Sequence, residues 1–384
     1  MTPTVPTWDL FCTVVDNFGD VGVCWRLARQ LANEHGVPLR LWVDDLSALR
    51  SIAPAARDVP QQMLDGVDVR HWTPQSAASA EPADVVIEAF ACELPAAYLA
   101  SMARRAKRPV WINLEYLSAE DWVTGCHGLA STHPQLGLRK HFFFPGVRAG
   151  TGGLIKENWL DARRTAWLDD LAGQTDWWSR MGVAPPHSGA LRVSLFSYEN
   201  PALPGLLDAW AAGKQAVHCA VPAGRPLPAV AAWSGRDSLA PGDVIDAGAL
   251  RLSVLPFMSQ EDYDRLLWMS DLNFVRGEDS FVRAQWARRP FVWHIYRQDE
   301  NAHMEKLHAF LEVYGEGLAT DACAALQDAW IAWNEAPESI GKAWAALDLA
   351  LPALRAHADQ WAEARAKQGD LAGHLALFCK SLVE

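Results

Sequence analysis

The sequence predicts an α/β protein built from two doubly wound domains, and three observations carry that expectation. Short β-branched runs alternate with helical stretches in both halves of the chain, the pattern of parallel sheets covered by helices. At 384 residues, 50% of them hydrophobic, the chain exceeds the size at which a single core stops growing. A helical stretch ending in Pro185-Pro186 separates the halves, which suits a hinge.

In the first half, strands are expected at 10–15, 38–43, 67–72, 83–90 and 109–114, with helices at 23–35 and 96–105. The turn-rich segments 140–146 and 150–154 read as the exit from this domain. Helical stretches at 159–171 and 175–181 form a linker, after which strands are expected at 191–198, 216–221, 250–256, 271–275 and 291–295. Helices at 204–212, 260–269 and 280–287 alternate with them. From Glu300 the pattern is helical, with a break at 349–352 and a last helix, 370–382, that opens on Asp370, a good cap. The expected division is 1–158, a linker of 159–185, and 186–354, with about 355–384 packing back on the first domain. Two Rossmann-like domains facing an interdomain cleft make the GT-B arrangement of nucleotide-sugar enzymes, by analogy of fold.

Composition narrows the chemistry. A net charge of −12, with 46 acidic and 34 basic residues, disfavours nonspecific binding to nucleic acid or anionic membrane. Seven scattered cysteines without a CxxC pair point to reduced thiols. Neither a signal-peptide pattern nor an apolar run of about 20 residues is visible, so a cytoplasmic protein is expected. The 19 tryptophans lie along apolar faces and read as core.

Three loops at expected strand ends carry unusual residues. Asp16-Asn17-Phe18-Gly19-Asp20-Val21-Gly22 places two carboxylates and two glycines between a strand and a helix, where open α/β sheets bind ligands. Glycine permits close approach there, so Asn17, Phe18 and Gly19 are candidates for substrate contact. Phe196 and Tyr198 share one face of a strand end by period-2 alternation and could sandwich a planar base; core packing is the plainer alternative. Arg276 to Arg283 (RGEDSFVR) opens a helix with Asp279 or Ser280 expected at the N-cap, a setting that binds phosphate, and Arg276 adds forked donors. Gln260 and Tyr263, neighbours on one helix face, could meet a base or ribose. No P-loop, HExxH, G-x-S-x-G or GxGxxG motif occurs, and the dispersed histidines predict a metal-free site.

Five segments together resemble a known family: DNFGDVGVCWRLARQL at 16–31, WINLEYLSAEDW at 111–122, HFFFPG and TGGL between 141 and 154, and RGEDSFVRAQWA at 276–287. They are similar to EarP, the bacterial protein-arginine rhamnosyltransferases of translation elongation factor P. The resemblance implies a GT-B enzyme that moves rhamnose from dTDP-β-L-rhamnose to an arginine side chain with inversion, using no cofactor. It also implies that Asp16, Asp20 and Glu278 are the catalytic acids, with Asp20 the general base. Phe196, Tyr198, Gln260, Tyr263, Arg276, Asp279 and Ser280 match the family's donor pocket, with Tyr263 where phenylalanine is frequent. A guanidinium is a poor nucleophile with a pKa above about 12, and a carboxylate pair can orient it and accept its proton. Competing expectations are another GT-B reaction on a different acceptor and a non-catalytic nucleotide- or protein-binding module.

Overall fold

The computed structural model describes residues 5–16 and 18–383, with Asp299 by its backbone alone; Asn17, a candidate for substrate contact, lies outside the described residues. Two compact units emerge, one of Met1–Asn158 with Arg365–Glu384 and one of Trp159–Ala364.

The first unit holds the strands β1 (Trp8–Cys12), β2 (Leu39–Val43), β3 (Gln61–Leu64), β4 (Val67–His71), β5 (Val85–Ala89), β6 (Val110–Leu114), β7 (Ala130–Thr132) and β8 (Arg139–Phe143). They form one sheet in the order β3-β4-β2-β1-β5-β6-β8-β7. Pairing is parallel except at the two edges, β3 with β4 and β7 with β8. Strand order reverses between β1 and β5, so the loops after those strands diverge and leave a crevice at their carboxyl ends. β1 and β5 are buried throughout, which is why they read as unbroken apolar runs. The exceptions are Glu88 in β5 and Asp9, whose buried carboxylate accepts hydrogen bonds from Arg40 (2.6 Å), Trp42 (2.8 Å), Tyr98 (2.5 Å) and the Ala83 amide (3.0 Å).

The second unit holds β9 (Leu191–Leu195), β10 (Val217–Pro222), β11 (Val244–Ala247), β12 (Leu250–Leu255), β13 (Leu272–Arg276) and β14 (Phe291–His294), ordered β11-β12-β10-β9-β13-β14. Only β11 pairs antiparallel among the described strands of this sheet. The reversal now falls between β9 and β13, whose carboxyl ends lead into the Phe196 and Gly277 loops. The helices Gln260–Met269 and Asp279–Trp286 that flank these loops are locked together by a buried ion pair, Arg283 to Asp264 at 2.7 Å.

Several boundaries differ from expectation. Residues 159–185 are not a free linker. Their helices, Leu160–Asp169 and Leu171–Arg180, belong to the second unit, where Trp177 donates to Asp262 at 2.9 Å. The segment 140–146 begins inside a strand, β8, which pairs with β6. No break occurs at 349–352: the helix Ile340–Ala366 runs through Pro352, which sits on the exposed face where water can take the carbonyl that proline leaves unbonded. That helix stays with the second unit as far as Ala364, because Trp361 is buried and donates to Gln285 at 2.9 Å. The return to the first unit therefore starts at Arg365. It is fastened by Asp370, which accepts from Gln30 (3.0 Å) and from the Gly373 amide (3.0 Å) at the start of the helix Leu371–Val383.

Asp264→Ala is expected to destabilise the protein by about 3–5 kcal/mol, the cost of stranding a buried guanidinium. Urea unfolding monitored by tryptophan fluorescence measures it, and a loss below about 1 kcal/mol would show that Arg283 finds water instead.

Candidate active site

In the first unit the chain leaves β1 and turns directly into the helix Gly19–His35, which starts earlier than Val23, where the sequence pattern placed it. The Gly19 amide closes the turn on the Asp16 carbonyl at 2.7 Å. A Cβ at Gly19 would stand 2.8 Å from Asp16 Oδ2, so a side chain there would push the Asp16 carboxylate aside. Asp20 lies in the first helical turn, 2% exposed. It does not cap that helix; the N-cap is Phe18, without a side-chain bond. Instead Asp20 Oδ2 accepts the amides of Val15 (2.9 Å) and Asp16 (2.8 Å), and Tyr116 donates to Oδ1 at 3.2 Å.

Burial pushes the Asp20 carboxyl above its ordinary range and the Asp16 charge adds to this, while the two amides and Tyr116 pull the other way; the net direction is up. Asp16 and Phe18 are half-buried beside it. Tyr116 follows β6 and stacks on Phe90, with centroids 4.4 Å apart at 16°. Phe90 and Ala91, directly after β5, both take positive φ, 58° and 55°, a conformation that costs energy outside glycine and clusters at functional sites. The WINLEYLSAEDW segment contained Tyr116, but nothing in its spacing marked it as the residue that reaches Asp20.

The second unit assembles the other candidates around Arg276, the last residue of β13. Phe196 and Tyr198 lie beyond β9, which ends at Leu195, so strand alternation does not set their faces; the planar group over both rings is the Arg276 guanidinium, 4.6 Å and 4.5 Å from the two centroids. Tyr263 tilts against Phe196 at 5.5 Å, and burial pushes its phenol far up, so the hydroxyl stays protonated. Gln260 donates to Asp279 at 3.0 Å.

Neither Asp279 nor Ser280 is the N-cap of the helix Asp279–Trp286. That position falls to Glu278, with no side-chain cap bond. Ser280 reaches back instead, its hydroxyl accepting the Arg276 amide at 3.0 Å and donating to the Arg276 carbonyl. A backward bond of this kind closes the tight turn at Gly277, which takes a left-handed φ of 61°. Trp293 pins the same turn by donating to the Gly277 carbonyl at 3.0 Å.

Sequence reasoning also passed over the residues around Tyr198. His294 packs edge-on against it at 5.2 Å and Tyr296 at 5.6 Å; burial, then the charge of Arg276, lowers the His294 pKa to about 3, leaving it neutral. Arg225 pairs with Glu199 at 3.2 Å. Among the described residues no group of three or more His, Cys, Asp or Glu side chains is arranged to hold a metal ion, all seven cysteines are free, and no helix is long and apolar enough to cross a membrane.

The fold is shared with the spinosyn rhamnosyltransferase SpnG, which aligns over 97% of this chain and 99% of its own at a TM-score of 0.50 and 11% identity, a likeness of fold alone. The protein is an enzyme of the GT-B glycosyltransferase class. Residues 8–380 match the family model described as Elongation-Factor P (EF-P) rhamnosyltransferase EarP, and the chain belongs to that family. It is 54% identical to the protein-arginine rhamnosyltransferase of Pseudomonas putida, over 98% of this chain and 99% of that one. Identity to the Pseudomonas aeruginosa counterpart is 51%, over 97% and 98%. A solved structure described as the structural basis for EarP-mediated arginine glycosylation of translation elongation factor EF-P superposes at a TM-score of 0.69 with 39% identity, covering 98% of this chain and 99% of that chain.

The raised Asp20 pKa has a thermodynamic sign. The folded state holds this proton more tightly than the unfolded chain, so stability falls as pH rises from the unfolded pKa through the folded one. Asp20→Asn removes that penalty. Its stability relative to the parent is expected to be higher at pH 7 than at pH 4, by about 1.4 kcal/mol for each unit of raised pKa. Urea unfolding at the two pH values measures it, and a flat difference would mean that Asp20 titrates as an exposed acid.

Proposed function

We propose that the protein transfers rhamnose from dTDP-β-L-rhamnose to an arginine side chain of translation elongation factor P, in the cytoplasm, with inversion and without a metal. The observation that carries the reading is the Asp16–Asp20 turn: a buried carboxylate held by two strand-end amides, beside a second carboxylate, at a sheet's switch point. Family membership supplies the sugar and the acceptor class.

In this mechanism Asp20 is the general base and Asp16 its partner in orienting the guanidinium. One Asp20 oxygen is committed to the Val15 and Asp16 amides, which fixes the carboxylate plane; the other, near Tyr116, accepts the proton as the new C–N bond forms. A pKa raised by burial strengthens a carboxylate as a base. Phe18 and Gly19 line the acceptor side. In the second unit, Phe196, Tyr198 and Tyr263 supply ring faces for thymine. Arg276 swings off those faces to meet the diphosphate, joined by the amides at the start of the Asp279–Trp286 helix. Gln260, Asp279 and Ser280 shape that pocket, and Glu278 is the third acid.

Incubation with dTDP-β-L-rhamnose and purified elongation factor P is expected to add one deoxyhexose to the factor, read by intact mass. Asp20→Asn should lower turnover by about 10²–10⁴-fold while calorimetry shows dTDP affinity retained. Arg276→Ala should weaken dTDP binding. Full turnover in Asp20→Asn would remove it from the mechanism; unchanged affinity in Arg276→Ala would misplace the donor pocket. Excess EDTA should leave the rate unchanged, and inactivation would end the metal-free reading.

A further inference from the structure

The Asp20 carboxylate has one acceptor direction left over, and Tyr116 decides which. An ionised carboxylate offers about four lone-pair directions, two on each oxygen. The amides of Val15 (2.9 Å) and Asp16 (2.8 Å) take both on Oδ2, and the Tyr116 hydroxyl takes one on Oδ1 at 3.2 Å. Among the described residues no other group bonds the Asp20 side chain, so a single direction on Oδ1 remains.

Tyr116 has to travel to make that bond. It follows β6, and β5 lies between β6 and β1, so the phenol crosses two strand spacings, roughly 10 Å at about 4.8 Å each. The step between is Phe90, directly after β5, whose ring lies nearly parallel to that of Tyr116 with centroids 4.4 Å apart. Phe90 and the following Ala91 are both left-handed, at φ 58° and 55°, a conformation that residues other than glycine keep only where their surroundings impose it. The Phe90 amide donates to the Leu114 carbonyl at 2.7 Å and the Ala91 amide to Oδ1 of the buried Asn113 at 3.1 Å. Asn113 in turn donates through Nδ2 to Glu115 at 2.5 Å. Two strained residues, a buried amide and a stacked ring thus converge on one hydroxyl and one carboxylate oxygen. A β5 exit that served only as a connection gains nothing from that strain.

We propose that Tyr116 is a positioning residue of the transfer reaction: by occupying one lone pair of Asp20 Oδ1, it turns the remaining one toward the acceptor guanidinium. That role rests on Asp20 being the general base. In the step it serves, a guanidinium nitrogen forms the bond to the anomeric carbon, the anomeric C–O bond breaks with its electron pair leaving on the diphosphate, and the nitrogen's proton passes to Oδ1. Tyr116 itself neither gains nor loses a proton. Its hydrogen bond favours the ionised carboxylate, against the upward push of burial and of the Asp16 charge. Cys12, at the end of β1, also lies in the field of Asp20, but its bond to Cys24 and its burial hold the thiol protonated.

The test is steady-state rhamnose transfer to purified elongation factor P by the whole chain, across the pH range in which it stays folded, comparing wild type with Tyr116→Phe. That variant keeps the ring on Phe90 and loses only the hydroxyl. Its kcat at pH 7 is expected to fall about tenfold, the loss of one bond to a charged group, while calorimetric dTDP affinity is unchanged. The acid limb of its kcat/KM profile should move to higher pH, because the ionised form has lost a stabilising donor. Phe90→Leu keeps the phenol but loosens its stack; it should move both quantities the same way by less, and it replaces Tyr116→Phe if that variant fails to fold. Unchanged kcat and pH profile overturn the role, and so does a lower kcat with the acid limb unmoved, which makes Tyr116 a brace of the loop. No transfer by wild type overturns the proposed reaction and the role together, whereas transfer by wild type without these changes in the variant overturns the role alone.

Discussion

The grip of two strand-end amides on the Asp20 carboxylate is the constraint from which the acidic loop follows. A carboxylate 2% exposed is expensive unless its oxygens are satisfied. Val15 and Asp16 supply the donors because the chain bends back over the first helical turn. That bend brings Asp16 Oδ2 against the Gly19 backbone, so a side chain at residue 19 would displace the Asp16 carboxylate. The same helix start contributes the positive end of its dipole, which stabilises negative charge there. Burial outweighs these stabilising contacts, which is why the Asp20 pKa moves up rather than down.

In the second unit the organising contact is the Arg276 guanidinium between two rings. A cation over an aromatic face is worth about 0.5–2 kcal/mol, and a stacked base about 1–3 kcal/mol. The two occupants are therefore close in energy, and exchanging arginine for a base costs little. In the proposed reaction a base would take the ring faces and the guanidinium would move to the strand end. Asp264 and Arg283 keep the flanking helices in place during such an exchange, since separating them would expose an unpaired buried charge.

What could be read from the sequence depended on how each element is buried. β1, β5, β10 and β13 are covered throughout, so their apolar runs were plain. β3, β7 and β11 are short antiparallel edge strands; Ala130–Thr132 is exposed at every position and carries no alternation to detect. Ser280 looked like a cap because serine before a helix usually is one, but the Gly277 turn needed its hydroxyl more. Tyr116 and Asp9 were out of reach for another reason. Tyr116 meets Asp20 across 96 positions and Asp9 meets Tyr98 across 89, and no local pattern encodes such pairs. Phe196, Tyr198 and Arg276 were each legible as loop residues with chemistry, while their mutual stacking was not.

The two units share no sequence repeat, yet both place polar chemistry where the strand order reverses, β1 beside β5 and β9 beside β13. The topology explains the location, because loops diverge there and side chains project freely. Electrostatics explains the division of residue types. In the first unit the helix start faces carboxylates, an attractive arrangement that can persist without a ligand. In the second, an arginine stands at the strand end beside another helix start, and like signs at close range are unfavourable. Arg276 is accordingly turned onto electron-rich ring faces, with Glu199 among the acids in its field. In the proposed reaction the donor's diphosphate would meet this arginine and the start of the Asp279–Trp286 helix together.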